Sequence, residues 1–467
     1  MSSHPTVSSP TPATKIDPST VSILSPQYRA TTLGMVALVA LFAFEALAVA
    51  TAMPTVAREL DGLKLYALAF GGTLAASVVG MPLSGRWSDR SGPAAPLWSG
   101  LGCFLLGLLV AGFATNMPML VVGRLLQGLG AGALIVALYV MAGRVFPDAL
   151  RPKVFAAFSA GWVVPSLIGP ALSGLIVQHA GWRWVFLAVP ILAVPAALVL
   201  RPALRRIAST KPVAAEPVST AATEPSPVPW AIGAASGALL LYVGGQYHDI
   251  KALALLLPAI ALLVLCSWKL LPAGTLRLRR GLPSVIALRG MIGAAFFGCE
   301  AFLPLLLSRE RGLSPLMAGV ILSLGALGWS AGSWFQGHQR QGISRQRILQ
   351  TGTIMIASGV ALTLLVAVAA PLWLVLIGWT LTGLGMGLTY PSLSVLTLSL
   401  SPPARQGANS SALQLSEAIA VAATLAVGGS LFAALLDHSV QAGYLVNFAI
   451  ALLLALLGCV VTRRIAA

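Results

Sequence analysis

The chain has 467 residues, of which 57% are hydrophobic and only 9% charged, with a mean hydropathy of +0.88. Soluble domains run near 25% charged, so this composition excludes an ordinary soluble fold and assigns nearly the whole chain to a membrane. A net charge of +16 would suggest nucleic acid in a soluble protein; here the cations fall in short segments between apolar runs, where topology accounts for them and no nucleic-acid partner is expected.

Residues 1–30 are rich in Ser, Thr and Pro and lack the charged start and short apolar core of a signal peptide. They read as a disordered cytoplasmic tail. Six apolar spans follow, at about 33–55, 65–85, 95–114, 118–142, 154–177 and 183–200, each near the length a bilayer demands. They make residues 31–200 an N-terminal six-helix bundle. Residues 201–228 carry arginines and then a Pro/Ala/Thr/Glu-rich stretch, the signature of a cytoplasmic linker. Two spans at 229–246 and 250–271 carry no charge inside the membrane. Residues 229–271 are therefore expected to be a lipid-facing pair outside the core. Residues 272–282 form a basic cytoplasmic loop. Spans at 284–307, 315–336, 347–369, 372–398, 407–435 and 442–461 make residues 283–461 a C-terminal six-helix bundle, and residues 462–467 a cytoplasmic tail. The expected fold is an all-α integral membrane protein: two six-helix pseudo-repeat bundles plus two extra central transmembrane helices, 14 spans in all, with both termini cytoplasmic.

The distribution of cations supports that orientation. With the N-terminus inside, 21 of the 29 Lys and Arg residues fall on the cytoplasmic side and six outside, while Arg124 and Arg289 lie within spans. Arginine outnumbers lysine 23 to 6, a hint of a bacterial origin and hence of the cytoplasmic (inner) membrane. The two bundles also repeat. Phe44-Glu45-Ala46 resembles Cys299-Glu300-Ala301, and the glycines Gly128, Gly130 and Gly132 resemble Gly383, Gly385 and Gly387, both at an offset of 255 residues. Parallel repeats of this kind enclose a midplane site and rock about it.

Glu45 is the only charge between Thr31 and Ala57. A charge at such depth costs roughly 2.5–3.5 kcal/mol on insertion scales and marks a cavity, a partner or a pathway. In the fourth span, Arg124, Gln127 and Gly128 share one helix face, and Arg124 lies at a depth similar to that of Glu45, within pairing reach. Glu300 stands on the same face as Arg289, eleven residues away and too far to touch it. Glu417 lies near mid-depth with Gln414 beside it on the helix. The four cysteines (Cys103, Cys266, Cys299 and Cys459) have no metal-ligand spacing and read as buried free thiols. No pattern suggests a metal site, a cofactor, a nucleotide-binding loop or a nucleophilic triad, so no enzyme is expected.

Three motifs carry a resemblance. The loop after the second span, Gly85-Arg86-Trp87-Ser88-Asp89-Arg90-Ser91-Gly92, resembles the signature between helices two and three of the major facilitator superfamily. Gly85, Asp89, Arg90 and Gly92 match; Trp87 and Pro93 depart from it, and the second half keeps only Gly337-His338-Gln339-Arg340. Such a loop implies a cytoplasmic gate. Arg124, Gln127 and Gly128 resemble a motif assigned to proton coupling in the superfamily's drug antiporters. In the fifth span Gly169, Pro170 and Gly174 match an antiporter motif, while Pro165 and Ser173 depart from it. Gly181-Trp182-Arg183-Trp184 and the placement of Glu45 nine residues before Pro54 look like the fourteen-helix drug:proton antiporter branch.

The resemblance implies a proton-coupled exporter of small amphipathic or cationic compounds, working by alternating access as a monomer in the bilayer. The proton is its coupling ion, Glu45 its main carrier and Arg124 its modulator; Glu300 and Glu417 are ligands for substrate or proton. A desolvated carboxylate has a raised pKa and one beside arginine a lowered pKa, so an alternating cavity can load and release a proton. Two alternatives stand beside this: a proton- or solute-coupled importer of one metabolite, and a receptor or scaffold that transports nothing.

Overall fold

The computed structural model describes residues 22–204 and 227–465, apart from 148–149, 246, 248–249, 338–343, 369, 403–404 and 437. The expected tail and linker fall mostly outside these residues. Among the described residues, fourteen long helices stand in chain order. The first six are α1 (Arg29–Glu59), α2 (Tyr66–Ser91), α3 (Ala94–Gly112), α4 (Met117–Val145), α5 (Arg151–His179) and α6 (Arg183–Leu198). Then come α7 (Val228–Gly244) and α8 (Ile250–Leu270). The last six are α9 (Leu282–Leu305), α10 (Pro315–Gly337), α11 (Arg345–Ala367), α12 (Trp373–Ser399), α13 (Gln406–Leu435) and α14 (Val440–Val461).

Helix is what an apolar setting demands, because every backbone N–H and C=O must then be satisfied internally. Asn116 caps α4, its side chain accepting from the Met119 N–H at 2.9 Å, and Ser439 does the same for α14. Eleven helices, α1–α5 and α9–α14, are long and apolar enough to cross a membrane. The other three apolar helices are shorter. The 16 residues of α6 and 17 of α7 rise only about 24–26 Å, less than a hydrocarbon core of about 30 Å. The expected fourteen spans are therefore met by eleven on length and composition.

The repeat is visible in how the helices touch. A Cβ on Gly128 would strike the carbonyl of Thr73, and one on Gly383 the carbonyl of Gly325. Gly130 faces Phe104 and Gly100 as Gly385 faces Ile356 and Gly352; Gly132 meets Ser77 as Gly387 meets Trp329. Each half thus packs its fourth helix against its second and third with backbones in contact, an approach only glycine allows.

The halves meet through α2 against α13 and α5 against α10. Gly71 lies against Leu425, Gly429 against Ala67, Gly174 against Pro315, and Gly319 against Pro170. The Tyr66 hydroxyl donates to the Ala301 carbonyl at 2.8 Å. All these residues sit toward one end of the bundle, the end holding the turn at 60–65. The halves are closed together there.

Helix α7 corrects one expectation. Its lack of charge predicts a place outside the core, as α8 has with Leu257, Ile260, Val264 and Leu265 exposed, yet α7 buries Ala231, Ala234, Leu241 and Tyr242 against both halves. The Tyr242 hydroxyl donates to the Lys64 carbonyl, and the Ser430 hydroxyl on α13, which donates to the Ala426 carbonyl of its own helix at 2.8 Å, also lies against the Leu241 and Tyr242 carbonyls. Lack of charge is as compatible with a helix interface as with lipid. α7 fits the first case because its small residues, the alanines and Gly237 against Leu263, admit close neighbours.

Gly383→Ala is expected to lower stability by about 2 kcal/mol through overpacking. Gly102→Ala, where nothing lies within 4 Å of the new methyl, is expected to be neutral or slightly stabilising. Thermal unfolding in detergent separates the two. By the same assay, Tyr242→Phe is expected to lose about 1 kcal/mol, one hydrogen bond.

Candidate functional site

α1 and α4 bring the first charged pair together. Glu45 is 2% exposed and Arg124 4%. The Arg124 Nη1 donates to Glu45 Oε1 at 2.5 Å and to Gln127 Oε1 at 2.7 Å, while its Nε donates to the Ala69 carbonyl on α2 at 3.0 Å. Gln127 is one helical turn along from Arg124, which is why both reach one point. Its Nε2 is buried with no hydrogen-bond partner.

A second pair lies in the other half. Arg289 on α9 donates from Nε to Glu417 Oε2 on α13 at 2.5 Å. Tyr390 on α12 donates its hydroxyl to Glu417 Oε1 at 3.1 Å. The guanidinium carbon of Arg289 lies 3.4 Å from the centroid of the Tyr390 ring, a cation–π contact. Gly293 leaves room for the Glu417 side chain. Arg289 and Glu300 do not touch, as their spacing predicts, and one sequence expectation, that of Gln414 beside Glu417, changes here. Arg289 turns to Glu417 on a neighbouring helix and leaves Glu300, its companion on α9, aside. Gln414 is exposed and not bonded to Glu417.

Glu300 is the third interior acid. It is half-buried on α9 and has no hydrogen bond or ion pair with any described residue. The repeat explains why. The offset of 255 residues that carries Glu45 to Glu300 carries Arg124 to Trp379. Arg124 bonds to a carbonyl of α2; Trp379 Nε1 likewise donates to the Leu322 carbonyl of α10 at 3.3 Å. Its ring, fully buried, stacks on Phe296 at 4.8 Å. The second half keeps the carboxylate and the anchoring bond but has lost the guanidinium.

The sequence profile of the Major Facilitator Superfamily matches residues 33–354 and 300–466. The chain belongs to the Major Facilitator Superfamily. It is 29% identical over 415 residues to a probable multidrug-efflux transporter of Mycobacterium tuberculosis, covering 84% of this chain and 85% of the relative. It is 25% identical over 383 residues to the multidrug efflux pump SdrM of Staphylococcus aureus, covering 80% and 83%. Among solved structures, an auto-inhibited peptide transporter of the POT family superposes with a TM-score of 0.67 at 17% identity, over 93% of this chain and 97% of that one. A D-xylose–proton symporter does so at 0.62 and 15%, over 92% and 96%. At these identities the structural likeness shows the fold alone.

The superfamily motifs can then be placed. The segment Gly85–Ser91 is not a loop; α2 runs through it, and the chain turns only at Gly92, whose φ of 83° suits glycine. The side chain of Asp89 lies outside the described ones, as does His338–Arg340 in the second half, and Arg90 is exposed. Arg144 of α4, not singled out in the sequence, donates from Nη2 to the Ser88 carbonyl at 3.0 Å and ties the end of α2 to α4. In α5, Gly174 and the Pro170 carbonyl form the contact with α10, so this motif builds the seam between halves; Gly169 lies against Phe44. Ser173, a departure from the motif, donates to the Ala48 carbonyl of α1 at 2.6 Å. Trp182 donates to Glu59 at 2.8 Å and supports the end of α1. All four cysteines are free, two buried and two half-buried.

Sequence reading missed Tyr390 and Trp379. For Trp379 the signal was available, because the repeat offset lands on it; for Tyr390 no sequence signal distinguishes it from a core aromatic residue. Breaking a buried ion pair by removing one partner costs about 3–5 kcal/mol, whereas replacing both by apolar groups is often nearly neutral. Arg124→Met alone is therefore expected to lower the unfolding midpoint strongly, and Glu45→Met/Arg124→Met to recover most of the loss. Equal losses in both variants would argue against the pair.

Proposed function

We propose that this transporter is a proton-coupled antiporter that exports small amphipathic or cationic compounds by alternating access. Its relatives named as multidrug-efflux transporters support the direction of transport. In this reading it spans the bacterial cytoplasmic membrane fourteen times as a monomer, both termini inside, with the proton as coupling ion and no cofactor. The three shorter helices tilt less or thin the bilayer locally to cross. With that orientation the closed end of the bundle faces outward.

The observation that carries the reading is the distribution of charge among the three acids. Glu45 and Glu417 are each held by an arginine; Glu300 is not. A lone carboxylate in apolar surroundings is costly unless a counter-charge or a proton neutralises it. Glu300 therefore holds either a proton or a cationic substrate, and taking one expels the other. That exclusion is the logic of an antiporter. Glu45 carries the second half of the cycle. When it takes a proton, Arg124 loses its counter-charge but keeps Ala69 and Gln127, and the bond between α1 and α4 loosens. The gradient drives the exchange, each charge moved contributing about 2.3 kcal/mol per 100 mV. Gly85, Asp89, Arg90 and Gly92 serve the cytoplasmic gate with Arg144.

Cells loaded with a fluorescent lipophilic cation test this. Wild type is expected to expel the dye in a manner abolished by a protonophore. Glu45→Gln, at equal membrane expression, is expected to lose that activity. Glu300→Gln is expected to slow cation export by about tenfold or more, the scale of one charge-assisted contact. Normal proton-driven efflux by Glu45→Gln would reject the coupling role.

A further inference from the structure

The turn between α8 and α9 concentrates positive charge. Arg277, Arg279 and Arg280 lie in it, Lys269 ends α8, and Arg463 and Arg464 follow α14. No Asp or Glu occurs between Asp249 and Glu300, or after Asp437. Among the described residues, none of these six cations forms an ion pair.

The turn is held in shape. Gly274 and Gly281 have φ of 92° and 83°, and Leu278, which is not glycine, has φ of 52°. A non-glycine residue keeps that conformation only where its surroundings fix it. The Arg464 Nη1 donates to the Leu278 carbonyl and the Gly281 N–H donates to the Arg464 carbonyl, both at 3.3 Å. The Ser284 hydroxyl donates to the Arg279 carbonyl at 2.7 Å.

Between this turn and the last turn of α8 lies a cleft of about 110 Å³. Trp268, Leu276, Arg277 and Arg279 are among the residues that line it. Trp268 is 50% exposed and Leu276 46%. The guanidinium carbon of Arg277 stands 4.8 Å from the centroid of the Trp268 ring. The cleft is thus amphipathic: guanidinium groups beside exposed apolar side chains, at the end of an apolar helix. Free phosphate would use the arginines and leave Trp268 and Leu276 without a role. A phospholipid uses both, its phosphodiester on the guanidinium fork and its glycerol and upper acyl carbons on the tryptophan, a residue suited to the membrane boundary.

We propose that this cleft binds the headgroup of an anionic phospholipid, Arg277 and Arg279 taking the phosphate and Trp268 and Leu276 the adjoining apolar part. The site goes beyond the transport reading and does not depend on it.

The test uses the full-length protein in detergent micelles doped with dioleoyl phosphatidylglycerol or dioleoyl phosphatidylcholine, or with inorganic phosphate in the buffer. Phosphatidylglycerol is expected to raise the unfolding midpoint, and the other two to leave it unchanged. Each cation near an anionic surface is worth about a factor of five, so Arg277→Gln/Arg279→Gln/Arg280→Gln is expected to weaken the apparent affinity about a hundredfold. Arg345→Gln/Arg347→Gln/Arg405→Gln removes as many exposed arginines elsewhere and is expected to behave as wild type. Should the first variant misfold, phosphatidylglycerol with brominated acyl chains is applied to unaltered protein and to Trp268→Phe. Quenching beyond that by brominated phosphatidylcholine is expected only where Trp268 is present. A wild-type response in the first triple variant, an equal loss in the second, a matching shift with inorganic phosphate, or excess quenching that survives Trp268→Phe would each overturn the proposal.

Discussion

The contact on which the rest depends is the bond between Arg124 and Glu45. Two ions sit in an interior made of small apolar residues, where either alone would be intolerable. Their pairing fixes α1 against α4, and the Ala69 carbonyl adds α2 to the same point. Glycines surround the pair. Gly123 and Gly107 face each other across α4 and α3, and Gly128 lies on the backbone of α2.

The second half keeps this scaffold and changes its chemistry. Gly378 and Gly359 reproduce the contact of Gly123 and Gly107. At the place of Arg124 stands Trp379, apolar over most of its surface but still donating to a carbonyl of the neighbouring helix. The arginine of this half is instead Arg289, on α9, and it engages Glu417 and Tyr390. Two copies of one fold thus carry two different charge arrangements: one closed pair in the first half, one closed pair and one open carboxylate in the second. Under the transport proposal, that asymmetry leaves one acid, Glu300, open to exchange a proton for a cation while the two pairs stay closed.

Much of this was legible in the sequence. Apolar runs with sharp polar boundaries located every long helix, because in lipid a helix is the only economical way to satisfy the backbone. The repeat was legible because duplicated backbone contacts require glycine at duplicated positions, and Gly128 with Gly383 announces them. The pairing of Glu45 with Arg124 was legible from depth alone. What escaped depends on rotation about helix axes and on packing between helices distant in the chain. Arg289 shares a face with Glu300, and only the placement of α13 turns it to Glu417. The segment Gly85–Ser91 reads as a loop from its polar composition, yet α2 continues through it, with Arg144 bonding to the Ser88 carbonyl. The role of α7 was hidden because an alanine-rich helix face looks the same whether it meets lipid or protein.

The most direct test of the central claim is a measurement of proton movement in proteoliposomes. Purified protein is reconstituted with a pH-sensitive dye inside, and a lipophilic cation is added outside without any imposed proton gradient. The predicted result is proton release from the lumen as the cation enters, slowed about tenfold or more in Glu300→Gln while the protein remains folded. Proton movement in the same direction as the cation would contradict the antiport reading, and undiminished exchange by Glu300→Gln would contradict the place given to the unpaired carboxylate.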